Sequence, residues 1–110
     1  MACYTHEEEI ERIDREGHSS RDVIGEEQGA VNGYKIGVTE YTTEEFLAPG
    51  VHDDQEGFYV IAGEGVARVG DEEFAIRPGS AFIAPKGVPH AVKKKRGSVP
   101  VKLVWSHGAV

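Results

Sequence analysis

The sequence predicts an all-β domain, a barrel or sandwich built from short strands. Apolar and polar residues alternate with period two in several segments, and Gly- or Pro-containing turns separate these segments at short intervals. The clearest segment runs from Tyr34 to Tyr41 and carries β-branched and aromatic residues. A chain of 110 residues has room for one hydrophobic core and therefore for one domain.

The turn residues divide the chain into an N-terminal segment and a strand-rich remainder. We expect residues 1–33 to form an arm and an irregular segment that pack on a barrel made by residues 34–110. In the arm, residues 5–16 are predicted as a short helix or an extended stretch, 18–21 as a loop and 23–24 as a short strand. After the strand at 34–41, further strands are predicted at residues 57–61, 66–69, 73–76, 81–84, 90–92 and 99–106.

Composition excludes several classes of partner. The net charge is -7 and the pI is about 5.2, so neither nucleic acid nor an anionic membrane is expected to attract the chain. No apolar run is long enough to span a bilayer. A single cysteine, Cys3, excludes an internal disulfide, and the acidic N-terminus is the opposite of a signal peptide, so a cytoplasmic location is expected.

Three potential metal ligands lie in two segments framed by glycine and proline. His52 and Glu56 are four residues apart, so in a slightly bent strand both side chains can face the same side. His90 is distant in sequence, and a closed barrel can place it opposite the other two. Two imidazoles and one carboxylate leave coordination positions open and suit divalent Zn, Fe, Mn, Ni or Cu.

These segments resemble the two motifs of the cupins, which are small double-stranded β-helix or jelly-roll barrels. The first motif is Gly, five residues, His-x-His, three or four residues, Glu, six residues, Gly; the second is Gly, five residues, Pro-x-Gly, two residues, His, three residues, Asn. Matching positions in this chain are His52, Glu56 and Gly63 for the first motif, and Gly79, Pro85, Gly87 and His90 for the second. The resemblance covers about residues 34 to 106 and implies a jelly-roll barrel with a metal inside it.

Three positions depart from the cupin pattern. Gly50 stands where the first histidine is expected, Glu44 replaces the opening glycine and Lys94 replaces the final Asn. Many cupins use three histidines and one Glu or Gln, so one ligand is missing here. Alternation in the last strand places His107 on the inner face with Val101, Leu103 and Trp105, while Lys102 faces solvent. We therefore predict that His107 is a fourth ligand or lines the site, with Asp54, expected in a solvent-facing bend, as a second candidate.

The ligand itself is not specified by these residues. The aromatic residues are predicted to be core, with one or two lining a pocket and contacting substrate; the candidates are Tyr34, Phe58, Phe82 and Trp105. Lys93–Arg96 is either a solvated hairpin tip or a patch that attracts an anionic substrate. The resemblance implies a metal-dependent oxygenase, isomerase, decarboxylase or lyase acting on a small molecule, or else a non-catalytic metabolite or sugar sensor. It also implies a homodimer.

Overall fold

The structure is a computed structural model that describes residues 2–108. Within this range it contains two short 3-10 helices, Glu7–Glu9 and Glu26–Gln28, and nine strands. The strands are β1 Ile13–Arg15, β2 His18–Ile24, β3 Lys35–Tyr41, β4 Gln55–Ala62, β5 Gly65–Val69, β6 Glu72–Ile76, β7 Ala81–Ala84, β8 His90–Lys94 and β9 Val101–Gly108. No helix in this part of the chain is long and apolar enough to cross a membrane.

Two antiparallel sheets enclose the core. The larger sheet has the strand order β1-β2-β3-β9-β4-β7, and the smaller has the order β6-β5-β8. Strands distant in sequence are neighbours in both sheets, such as β3 with β9 and β5 with β8. This arrangement confirms the predicted all-β jelly-roll class.

The core is built from alternate residues of the strands. In β9, Val101, Leu103 and Trp105 are buried, as alternation predicted. Lys102 points away from the core, and its Nζ lies 2.9 Å from a carboxylate oxygen of Glu7. Each buried aliphatic side chain stabilises the fold by roughly 1.5–3 kcal/mol. The same alternation carries His107 past the core towards one open end of the barrel.

The N-terminal segment differs in part from the prediction. Residues 5–16, predicted as a short turn of helix or an extended stretch, contain the 3-10 turn at Glu7–Glu9 and the whole of β1. Residues 18–21, predicted as a loop, are strand. β2 pairs with β3 along its length, from His18 opposite Tyr41 to Ile24 opposite Ile36. The polar residues of β2 have weak intrinsic strand preference, and pairing with an open strand edge outweighs it. The division between residues 1–33 and 34–110 stays a prediction.

Two further local predictions need correction. His52 lies in the loop before β4 rather than within that strand. Lys93 and Lys94 belong to β8 rather than to a hairpin tip. Lys94 Nζ lies 3.2 Å from a Glu44 carboxylate oxygen, and Lys93 Nζ lies 4.7 Å from the centre of the Phe46 ring. These two cations of the basic cluster are therefore engaged by neighbouring side chains.

Candidate metal centre

Backbone hydrogen bonds join the two segments that hold the predicted ligands. Gly50 and His90 form an isolated antiparallel bridge, in which each N–H donates to the other residue's carbonyl at 2.9 Å. The N–H of Gly87 donates to the carbonyl of His52, also at 2.9 Å. Gly87 has a φ of 75°, which glycine adopts without strain and which other residues avoid. The two motif segments therefore meet at one end of the barrel, although about forty residues separate them.

The three predicted ligands converge on one point. Oε1 of Glu56 lies 3.1 Å from Nε2 of His52 and 3.4 Å from Nε2 of His90. One donor atom from each residue lies within 4.8 Å of the other two. Glu56 Oε1 is buried and has no hydrogen-bond partner among the described residues. An orphaned carboxylate oxygen facing two imidazole nitrogens fits a divalent metal ion, because the ion would satisfy all three donors.

The ligands differ in exposure, and burial shifts their pKa values. The side chains of Glu56 and His90 are 6% and 9% exposed, whereas that of His52 is 40% exposed. Burial raises the pKa of Glu56 to about 7, opposed by the charge and hydrogen bond of His107. Burial, aided by His52 and His107, lowers the pKa of His90 to about 4. Burial also lowers the pKa of His52, and the charge of His107 lowers it further. Both imidazoles thus favour the neutral form that ligates metals.

His107 lies beside the three converging residues. Its Nε2 is 3.1 Å from Oε2 of Glu56, and its Nδ1 is 2.9 Å from Oδ1 of Asp54. The donor atoms that converge within 4.8 Å do not include a His107 nitrogen. The structure thus brings His107 into the cluster, while its direct ligation of a metal stays a prediction. Asp54 does not simply face water as expected, because its carboxylate holds His107 in a partly buried contact.

Gly50 opens one side of the centre. A cavity of about 350 Å³ is lined by Gly50 together with His52, Glu56, His90 and His107. A Cβ atom at position 50 would lie 3.1 Å from Nε2 of His90 and 3.9 Å from Nε2 of His52. A histidine here would therefore extend from a point next to the donor atoms. Its absence leaves space on the side of the donors that faces the cavity.

The opposite wall of the cavity comes from strands that the sequence analysis did not connect with the site. His18, Ser20 and Asp22, which are alternate residues of β2, line the cavity with Thr39 and Tyr41 of β3. The period-two spacing of these polar residues is typical of a strand, whereas the sequence analysis predicts a loop over residues 18–21.

Hydrogen bonds order part of this wall. Trp105 Nε1 donates to Thr39 Oγ1 at 2.8 Å, and the Thr39 and Ser20 hydroxyl oxygens are 2.8 Å apart. Burial, reinforced by Glu56, raises the pKa of Tyr41, so its hydroxyl keeps its proton. The wall therefore offers the cavity several hydroxyl groups.

The predicted substrate-contacting aromatics are placed differently from one another. Trp105 lines the cavity. Phe58 is buried, and its ring stacks on that of Phe82 with ring centres 4.5 Å apart. Tyr34 is 43% exposed and precedes β3. The structure does not bring Tyr34, Phe58 or Phe82 to the cavity lining, and their contact with a substrate stays a prediction.

Comparison with known proteins agrees with this geometry. The cupin domain family matches residues 38–107, which include the whole candidate centre. The chain therefore belongs to the cupin family.

Similar proteins fall into one sequence relative and several solved structures. Cupincin from Oryza sativa, in both the indica and japonica subspecies, is 44% identical over 62 residues. The matched region is 53% of this chain and only 13% of Cupincin. The polyketide cyclase RemF from Streptomyces resistomycificus has a TM-score of 0.76 at 22% identity, covering 94% of this chain and 77% of RemF. The iron(II) form of HppE has a TM-score of 0.77 at 17% identity, covering 94% of this chain and 58% of HppE. At these sequence identities, the similarity shows that this chain shares the fold of the two structures.

Proposed function

We propose that this cupin binds one divalent transition metal through His52, Glu56 and His90. The observation that carries the proposal is the buried oxygen Oε1 of Glu56, which faces both imidazole nitrogens and lacks a hydrogen bond. Two nitrogen donors and one oxygen donor suit Zn, Fe, Mn, Ni or Cu. The existence of an iron(II) form of HppE, which shares this fold, is consistent with a metal-binding function.

We further propose that a small organic ligand enters the cavity and reaches the open side of the metal. The cavity of about 350 Å³ is large enough for a small molecule, and Gly50 leaves its path to the donors free. When bound, the metal would polarise an oxygen atom of the ligand as a Lewis acid. This chemistry is compatible with a metal-dependent oxygenase, isomerase or lyase, and the similar structure RemF is a polyketide cyclase.

Elemental analysis of the natively expressed protein tests the metal site. We expect close to one equivalent of a transition metal in the wild-type protein and much less than one in His52→Ala. His6→Ala is the matched control, because His6 is exposed and far along the chain from the centre. Wild-type protein that holds no transition metal and takes up none on titration would overturn the proposal.

A non-catalytic metabolite- or sugar-binding cupin is the second candidate. The hydroxyl-bearing wall of Ser20, Thr39 and Tyr41 favours it, because hydroxyl groups can exchange hydrogen bonds with a polyol. Calorimetry can measure the binding of each sugar in a panel, and turnover assays on the metal-loaded protein can test the same sugars as substrates. Together these measurements distinguish the two candidates. Binding without turnover across the panel supports the sensor, and metal-dependent turnover supports the enzyme.

We also propose a homodimer in the cytoplasm. Tyr59 and Ile83 are each 52% exposed, and they lie on neighbouring strands β4 and β7, the latter at the edge of the larger sheet. A second copy would cover this apolar edge. Light scattering should give twice the chain mass of 12.0 kDa, and Ile83→Lys should shift the particle to the monomer mass. Monomeric wild-type protein at high concentration would contradict the dimer.

The proposed cytoplasmic location rests on the single cysteine. Cys3 is exposed and free, which fits a reducing compartment.

A further inference from the structure

We infer that His107 and Asp54 act as a pair that positions Glu56, and that His107 is not itself a ligand of the metal. This inference rests on the proposed metal site and deepens it. It concerns which oxygen of Glu56 faces the metal and what holds the carboxylate in that orientation.

Each ring nitrogen of His107 faces a carboxylate oxygen. Nδ1 lies 2.9 Å from Asp54 Oδ1, and Nε2 lies 3.1 Å from Glu56 Oε2. An imidazole ligates a metal through a nitrogen lone pair. When the hydrogen of the neutral His107 ring is on Nε2 and is donated to Glu56 Oε2, the nitrogen that faces the centre has no lone pair to offer. The side chains of Asp54, His107 and Glu56 therefore form a chain of contacts that ends at the candidate metal centre.

The two oxygens of Glu56 have different partners as a result. Oε2 faces His107, whereas Oε1 faces the Nε2 atoms of His52 and His90. With Oε2 held by His107, Glu56 presents a single oxygen to the metal. A one-oxygen contact uses one coordination position rather than two, which leaves more positions for a ligand from the cavity. Outer partners of this kind are known to orient ligating side chains and tune metal affinity.

The fold fixes His107 independently of any metal. His107 on β9 is directly opposite Glu56 on β4 in the antiparallel register, so the backbone holds the two side chains together. The His107 ring meets the His52 ring edge-on with centres 4.5 Å apart, and it meets Trp105 edge-on at 5.1 Å. Rings on two sides and a carboxylate at each nitrogen leave little freedom for the imidazole to turn towards the metal.

Zinc titration and X-ray absorption of the zinc-loaded protein test this assignment. We expect His107→Ala and Asp54→Asn each to bind one zinc ion about 10–100-fold more weakly than wild type. The number of histidines in the zinc coordination sphere should remain two in the wild type and in both variants. Asp53→Asn is the matched control, because Asp53 is the neighbouring acid and is exposed. Its zinc affinity should equal that of the wild type.

Two further variants separate a positioning role from a general loss of structure. The double variant Asp54→Asn/His107→Ala should bind zinc no more weakly than His107→Ala alone, because the two residues act through one chain of contacts. His107→Gln keeps an N–H group that can reach Glu56, so it should recover part of the zinc affinity that His107→Ala loses. Additive losses, or no recovery with Gln, would count against the pair.

The possible failures are distinguishable. Three histidines around zinc in the wild type, falling to two in His107→Ala, would show that His107 is a ligand and overturn the inference. Zinc affinity unchanged in His107→Ala would overturn it as well. In both cases the metal site of His52, Glu56 and His90 would stand. A wild-type protein that binds no zinc, iron, manganese, nickel or copper would instead remove the proposed function itself.

Discussion

The two histidines among the three candidate ligands, His52 and His90, differ in burial and in backbone hydrogen bonding. His90 begins β8, is bridged to Gly50 by two backbone hydrogen bonds, and is 9% exposed. His52 lies in a loop, is tied to Gly87 by one backbone hydrogen bond, and is 40% exposed. Burial lowers the pKa of both histidines, and it brings the pKa of His90 to about 4.

This difference assigns the two residues different contributions. His90 contributes to packing of the barrel core as well as to the candidate centre, because the centre of its ring lies 5.3 Å from that of the core residue Phe58. His52 serves mainly the centre, since its side chain is partly in solvent. The buried side of the site is therefore fixed by the fold, and the exposed side is where exchange of ligands with solvent is expected.

Replacing each histidine by alanine gives the largest expected effects. Both His90→Ala and His52→Ala should weaken metal binding by about a thousandfold or more, since each removes one of three ligands. Only His90→Ala should also destabilise the metal-free protein, by about 1–3 kcal/mol, because it empties a buried position. Chemical denaturation in the presence of a chelator measures this. Equal destabilisation by the two variants would break the comparison.

Glu56 should make the metal-free protein less stable as the pH rises. Its pKa is raised from 4.5 to about 7 in the folded state, so its contribution is fully present below pH 4.5 and is lost as the pH rises through 7. Glu56→Gln stays uncharged, so its stability relative to wild type should grow by about 3 kcal/mol between pH 4.5 and pH 8. Denaturant unfolding of both proteins with chelator at these two pH values measures the change. A constant difference would show that burial does not disfavour the charged carboxyl.

Metal affinity should depend on pH through the same carboxyl. A metal displaces the proton of Glu56, so affinity for zinc should fall about tenfold for each pH unit below about 7 and level off above it. His90, with a pKa of about 4, is already neutral in this range and adds no further proton. Calorimetry at pH 6 in buffers of different ionisation enthalpy should detect about one proton released. Release of two protons would mean that a histidine also titrates.

The smallest expected effect concerns the open side of the metal. The backbone of Gly50 does not have a positive φ, and an alanine Cβ there would lie 3.1 Å from His90 Nε2. Azide binding to the cobalt-loaded protein, followed by visible absorption, should weaken about fivefold in Gly50→Ala because the methyl group narrows the approach. Gly57→Ala is the control, since its Cβ would meet only Ser106 Oγ at 3.7 Å. Unchanged azide affinity would place the open side elsewhere.

The barrel and the three candidate metal ligands could be predicted from the sequence because both depend on local patterns. Period-two alternation predicted β9 and the inward side of His107, and the motif spacings matched His52, Glu56 and His90. Each of these patterns depends only on residues that lie within a few positions of one another in the chain. The structure confirms the fold class and brings the three candidate ligands together.

The N-terminal strands and the wall they build could not be predicted in the same way. β2 is rich in polar residues, and what makes it a strand is its pairing with the open edge of β3, from His18 opposite Tyr41 to Ile24 opposite Ile36. The same applies to Asp54, whose partner His107 lies 53 residues away. Contacts of this kind depend on which elements become neighbours, and local patterns carry little information about that.

The hydrogen bonds between Gly50, His52, Gly87 and His90 have a consequence for kinetics. They hold the donor atoms close to their binding positions through main-chain contacts that no metal has to create. The conformational entropy of ordering the centre is then lost when the chain folds and not when the ion arrives. Metal capture should therefore be a rapid single step on an already folded protein, and the amide hydrogens of Gly50 and His90 should resist exchange with deuterium even in the presence of a chelator.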